Sequence, residues 1–200
     1  MKTAVKCFIV TCAIRIARGQ GTKHNSMLIH ISRYQMWQNH IKELVEQLFN
    51  YYKHEIEASD PAILEEFRKI LENDTANYKS YKTVTTEIRQ SKFGNIDKYL
   101  MIHSWEEIKP LLFKAVQKVE VKSINGTSGD CLTYYENEKT GISVIAIGGD
   151  KLSRGLTLEG CLLVTSCVPQ KCTIHLCKWG VGLAIALAMW ICADFSQVRN

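Results

Sequence analysis

The sequence predicts an α/β domain: a mostly parallel sheet flanked by helices. Three observations carry that expectation. Apolar residues recur at helical spacing in three segments that are otherwise polar, two short runs are apolar at nearly every position, and the two kinds of segment interleave along the chain.

Taken in order, residues 7–14 form an apolar stretch behind Lys2, the outline of a secretory signal. Lys6 and Arg15 bracket it too tightly, and no small-x-small cleavage site follows before Arg18, so a buried or amphipathic helix is expected. Residues 27–31 (M-L-I-H-I) read as a strand buried on both faces. Residues 35–56 place Ile41, Leu44, Val45, Leu48, Phe49 and Tyr52 on one helical face. Asp60 before Pro61 is a helix start, because the carboxylate can accept free backbone N–H groups and proline is already set for a first turn. Ile63, Leu64, Phe67, Ile70 and Leu71 continue that helix for about 13 residues. Ser104 with Glu107 is a capping box, leading a helix whose face is Ile108, Leu111, Leu112, Ala115, Val116 and Val119, with Pro110 disturbing its first turns. Val119, Val121 and Ile124 alternate as a strand, and residues 143–147 (S-V-I-A-I) form another doubly buried one. Residues 125–130 and 134–141 are polar, glycine-containing connections.

The chain has 200 residues, 46% hydrophobic and 22% charged, with 12 Gly and 3 Pro, which excludes a disordered or collagen-like chain. Its net charge of +5 permits a nucleic-acid partner without requiring one. The last fifth differs in kind. Residues 161–200 hold four of the 45 charged residues, Lys171, Lys178, Asp194 and Arg199, but five of the eight cysteines. Their longest uncharged apolar run, residues 181–192, is well short of the roughly 20 residues a membrane span needs, so no membrane association is expected. A cytoplasmic location follows, with Cys7 and Cys12 as reduced, buried thiols.

The most informative segment is residues 144–160, V-I-A-I-G-G-D-K-L-S-R-G-L-T-L-E-G. A strand delivers the chain to Gly148 and Gly149, where backbone N–H groups can approach a ligand, and Asp150, Ser153, Arg154, Gly155 and Thr157 follow. Arg154 has the strongest case for function, since a guanidinium binds two phosphate oxygens at once. The plainer reading is a strand, a glycine turn and a solvated loop. His24 likewise reads as a solvated loop residue, and His30 as a hydrogen-bonded core histidine.

The string G-G-D-K-L-S-R-G-L-T-L-E-G resembles motif V of superfamily 2 helicases and, more specifically, the Z1-domain family. Residues 12–18 (C-A-I-R-I-A-R) and the following G-Q-G-T-K-H-N-S-M-L-I-H-I-S-R-Y resemble that family's helix, loop and motif-IV strand. The resemblance implies a partial second RecA-like lobe over residues 1–165, truncated at its C-terminal end, from a helicase-like, nucleic-acid-dependent ATPase and candidate endonuclease of restriction-type defence systems. It further implies that His30, Ser32 and Arg33, with the residues from Gly148 to Thr157 named above, line the edge facing nucleic acid and nucleotide. ATP, Mg²⁺, DNA and restriction-system partner proteins are implied for intact relatives.

Two absences limit the expectation. No G-x-x-x-x-G-K-[ST] cradle for nucleotide phosphates occurs, and no strand-borne Asp with a following [D/E]-x-K, so neither cofactor nor catalytic activity is expected of the chain by itself. The tail departs from the family, which continues with K-M-Y-D-T-L-M-Q-M-G-R-W-F-G-Y-R. Pairing the last base of each codon from Cys167 with the first two of the next permits R-P-A followed by that same string through Ala186, at all nineteen steps. Residues 166–200 therefore read as out of frame, after a shift between Gly160 and Cys167, with loss of the motif-VI arginine. Cys167, Cys172, His175 and Cys177 do not have a standard zinc spacing, and no metal site is expected. The alternative of another class is a small nucleic-acid-binding or partner-docking module without catalysis.

Overall fold

The computed structural model describes residues 1–31, 35–76, 79–91, 100–124, 134–149, 158–168 and 171–175. In chain order these form α1 (Lys2–Ala17), β1 (Asn25–His30), α2 (Gln35–Glu57), α3 (Pro61–Glu72), α4 (Tyr81–Gln90), α5 (Trp105–Gln117), β2 (Val119–Ile124), β3 (Ser143–Gly148), β4 (Cys161–Val168) and β5 (Lys171–His175). The sheet runs β2-β3-β1-β4-β5. Its first four strands are parallel, and β5 lies antiparallel on β4 at the edge. The α/β class and mostly parallel sheet expected from the sequence are thus present.

Local chemistry accounts for the helices. α1 is apolar nearly all round, and Val5, Phe8, Ile9, Ala13 and Ile14 are almost wholly buried, the condition of a helix surrounded by protein. α3 begins where Asp60 accepts a hydrogen bond from Ile63 N at 2.8 Å, with Pro61 in its first turn. In α5 the capping box is complete: Glu107 N donates to Ser104 Oγ at 3.3 Å, and Ser104 N donates to Glu107 Oε2 at 3.1 Å. Pro110 is accommodated within α5. Val119 belongs to β2 alone, because α5 ends at Gln117.

Three elements were not anticipated. α4 is rich in β-branched Thr83, Val84, Thr85 and Thr86, which lose rotamer freedom in a helix. It forms because Ser80 Oγ accepts from Thr83 N at 3.2 Å while Tyr81 and Val84 enter the core. β4 and β5 lie where the composition changes, β5 within the stretch read as out of frame.

Strand alternation sends Met27, Ile29, Ile145 and Ile147 to one face of the sheet, into a core to which all five helices contribute. Leu28, Val144 and Ala146 point to the other face, joined by Ile124, Tyr134, Ile142 and Leu158. Among the described residues no helix reaches that second cluster.

Candidate functional site

In an open parallel sheet, ligands bind outside the carboxyl ends of the strands. Here β1, β2 and β3 end level. His30 is in register with Gly148, and Gly148 with Ile124. Beyond the ladder, Ile31 N donates to Gly148 O at 2.9 Å. The segments that resemble motif IV and motif V therefore leave from adjacent strand ends, after Ile31 and after Gly149. His30 is half-buried at its strand end, and Gly148 and Gly149 are buried. Ser32, Arg33, Asp150, Ser153, Arg154, Gly155 and Thr157 lie outside the described residues. The structure thus brings His30 and Gly148 together at one edge of the sheet.

The chain is fixed again where it enters β4, at the opposite edge of the sheet. Ser26 Oγ donates to Glu159 O at 2.7 Å and lies 2.6 Å from the Tyr134 hydroxyl, while Ser26 N donates to Gly160 O at 2.9 Å. Burial pushes the Tyr134 phenol up to about 12, so at neutral pH it stays protonated and can donate to Ser26. Asn25 Nδ2 donates to Ser143 Oγ at 2.9 Å, tying β1 to β3 at the same level.

His24 is corrected by this arrangement. Far from being solvated, its side chain is 11% exposed. Its Nδ1 accepts from Ile142 N at 3.2 Å and its ring meets Tyr134 edge-on at 4.9 Å. Two glycines complete the clamp at positive φ. A Cβ on Gly160 would stand 1.9 Å from His24 O, and one on Gly141 2.6 Å from Thr22 O. These are architectural features that fix the chain where it enters β4.

Among the described residues, no group of three His, Cys, Asp or Glu could hold a metal ion, and no helix is long and apolar enough to cross a membrane. Cys7 and Cys12 are buried thiols outside any disulfide, as expected, and burial pushes Cys12 up to about 12. Sequence reasoning missed that Arg15 and Arg18 are buried as well. The signal was available, as two arginines three apart in a helix with apolar residues on every face.

Comparison with known proteins gives one match. The family model described as the Z1 domain matches residues 1–174. No curated protein and no solved structure matches the chain.

Proposed function

Starting from the fact that the chain belongs to the Z1 domain family, we propose that it is part of the second RecA-like lobe of a helicase-like, nucleic-acid-dependent ATPase, a candidate endonuclease whose carboxyl edge grips a nucleic-acid backbone. The observation that supports this reading is the pairing of His30 with Gly148, which sends the segments containing Arg33 and Arg154 out from neighbouring strand ends. Arg154 is the principal donor: its planar fork can meet two phosphate oxygens, and the buried glycines before it let backbone approach the ligand.

The residues present do not fit a nucleotide. The chain has no phosphate cradle, and no carboxylate cluster for Mg²⁺ occurs among the described residues. No hydrolytic step is assigned to it. Endonuclease activity is what the resemblance to the family implies, and no group of residues among those described is assigned to it.

Binding of single-stranded DNA should weaken with salt, and Arg154→Ala should reduce the slope of log K against log[salt] by about 0.7 for each phosphate that Arg154 neutralises. A slope identical to that of the unsubstituted chain would remove Arg154 from the interface. Titration of ATP against the same complex separates the alternative, a binding module indifferent to nucleotide, from a lobe that responds to it.

The tail belongs to the same proposal: a frame change between Gly160 and Cys167 would remove the motif-VI arginine. Resequencing the gene tests it, an out-of-frame Q-M-G-R-W-F-G-Y-R under residues 177–185 being the expected result. Because the family match runs to residue 174, sequencing also decides whether residues 167–174 are family sequence in the present frame.

A further inference from the structure

The last turn of α1 carries two guanidinium groups that the proposed function does not use. Arg15 and Arg18 are each only 8% exposed. They stand three residues apart, on neighbouring positions of one helix face, close enough to repel each other electrostatically. Neither has a carboxylate partner among the described residues, and the Nε of each is buried without a hydrogen-bond acceptor.

Arg18 is partly held. Its Nη2 donates to the Tyr81 hydroxyl and, at 3.5 Å, to Met101 O, and its guanidinium carbon lies 5.8 Å from the Tyr81 ring centroid. Arg15 makes no such bond among the described residues. One more orphan borders the same corner, Nε2 of His103, two residues beyond Met101 and near enough to feel the charge of Arg18. Among the described residues, the carboxylate that approaches this corner is that of Glu107, 3.4 Å from His103 Nδ1 on that ring's other side.

Burying one cation without a counter-charge is costly, and burying two side by side costs more because each raises the potential at the other. The negative end of the α1 dipole offsets a fraction of this. A folded protein retains such a pair when something of opposite charge completes it. With both arginines more than nine-tenths covered, a duplex or a protein surface cannot lie against them, and the complement that suits so small an opening is a compact oxyanion.

We propose that Arg15 and Arg18 form a binding site for one phosphate-class oxyanion, bordered by Tyr81 and His103. The anion is either free phosphate or the terminal phosphate of a nucleic-acid end. The site lies where the chain leads into β1 and is separate from the segments that leave β1 and β3, so it stands or falls independently of the proposed function.

The test is thermal unfolding of the full chain in inorganic phosphate against chloride at matched ionic strength. Phosphate at tenfold its dissociation constant should raise Tm by about 3–6 °C. Arg15→Met keeps the aliphatic stem and removes the charge, and should abolish that rise, whereas Lys114→Met on the exposed face of α5 should keep it. Where Arg15→Met fails to fold, the Nε–H signals of Arg15 and Arg18 in the unsubstituted chain decide, since phosphate should shift both. A 5′-phosphorylated oligonucleotide and its 5′-hydroxyl twin separate the sources: protection by inorganic phosphate identifies the free anion, and protection only by the phosphorylated strand identifies an end. The proposal is overturned if Tm is raised neither by inorganic phosphate nor by the phosphorylated strand above its 5′-hydroxyl twin, or if the rise is equal in Arg15→Met.

Discussion

The two edges of the parallel sheet are built on opposite terms. At the amino edge, where strands enter, backbone and side chain are interlocked: Ser26 with Tyr134 and Glu159, Asn25 with Ser143, His24 with Ile142, and two glycines pressed against carbonyl oxygens. At the carboxyl edge, β1, β2 and β3 stop level at His30, Ile124 and Gly148, and the chain goes on into the segments that resemble nucleic-acid-contacting motifs. One edge fixes where those segments return, and the other is the edge to which the proposed function assigns the ligand. Stability should therefore reside in the first edge and binding in the second.

The most severe challenge to that division is Gly160→Ala. A methyl group 1.9 Å from His24 O, on a residue at φ +58, cannot be relieved by a side-chain shift because the obstacle is backbone. A loss of at least about 3 kcal/mol is expected in urea unfolding, and a small loss would mean that the amino edge is pliable. Tyr134→Phe comes next. It removes the hydrogen bond to Ser26 but leaves Ser26 its bond to Glu159 O, so a loss of about 1 kcal/mol is expected by the same measurement.

A smaller effect, outside both edges, should follow pH. Burial, and then the charge of Arg18, hold His103 below its ordinary value of 6.5 despite the opposing pull of Glu107. The unfolded chain therefore takes up the proton first, so stability is full above about 6.5 and is lost as pH falls from there through the lower folded value. His103→Gln should flatten that acid limb of a Tm–pH profile, and an unchanged profile would assign the limb to other groups. The smallest effect is expected of Arg154→Ala, whose folding stability should stay within about 0.5 kcal/mol of the parent while salt-dependent binding declines. A large loss of stability there would erase the distinction between the edges.

What the sequence disclosed follows the same division. Helices with a clean apolar stripe and a chemical start, as at Asp60-Pro61 and Ser104 with Glu107, were legible because spacing and capping are local. α4 was not, because its threonines speak against a helix and only the core contacts of Tyr81 and Val84 overrule them. β4 was hidden for another reason: C-L-L-V-T-S-C-V begins at the point where the composition changes. On the carboxyl edge the sequence named the motif residues, and the structure adds only that His30 and Gly148 are neighbours. The amino edge was scarcely visible, since His24, Ser26, Tyr134 and Gly160 are scattered over more than a hundred positions and no spacing rule connects them. Arg15 and Arg18 were visible as letters, but their burial depends on α4 and the chain around Met101.

α1 has a consequence in time as well as in space. It is buried on nearly every side, yet the partners that bury it are made late: α5 begins at Trp105 and β4 at Cys161. At a ribosomal pace of 5–20 residues per second, a nascent chain carries this apolar helix for roughly 5–20 seconds before α5 exists to cover it. During that interval the exposed apolar helix is the natural client of a chaperone, and it is released from that role when α5 packs against it.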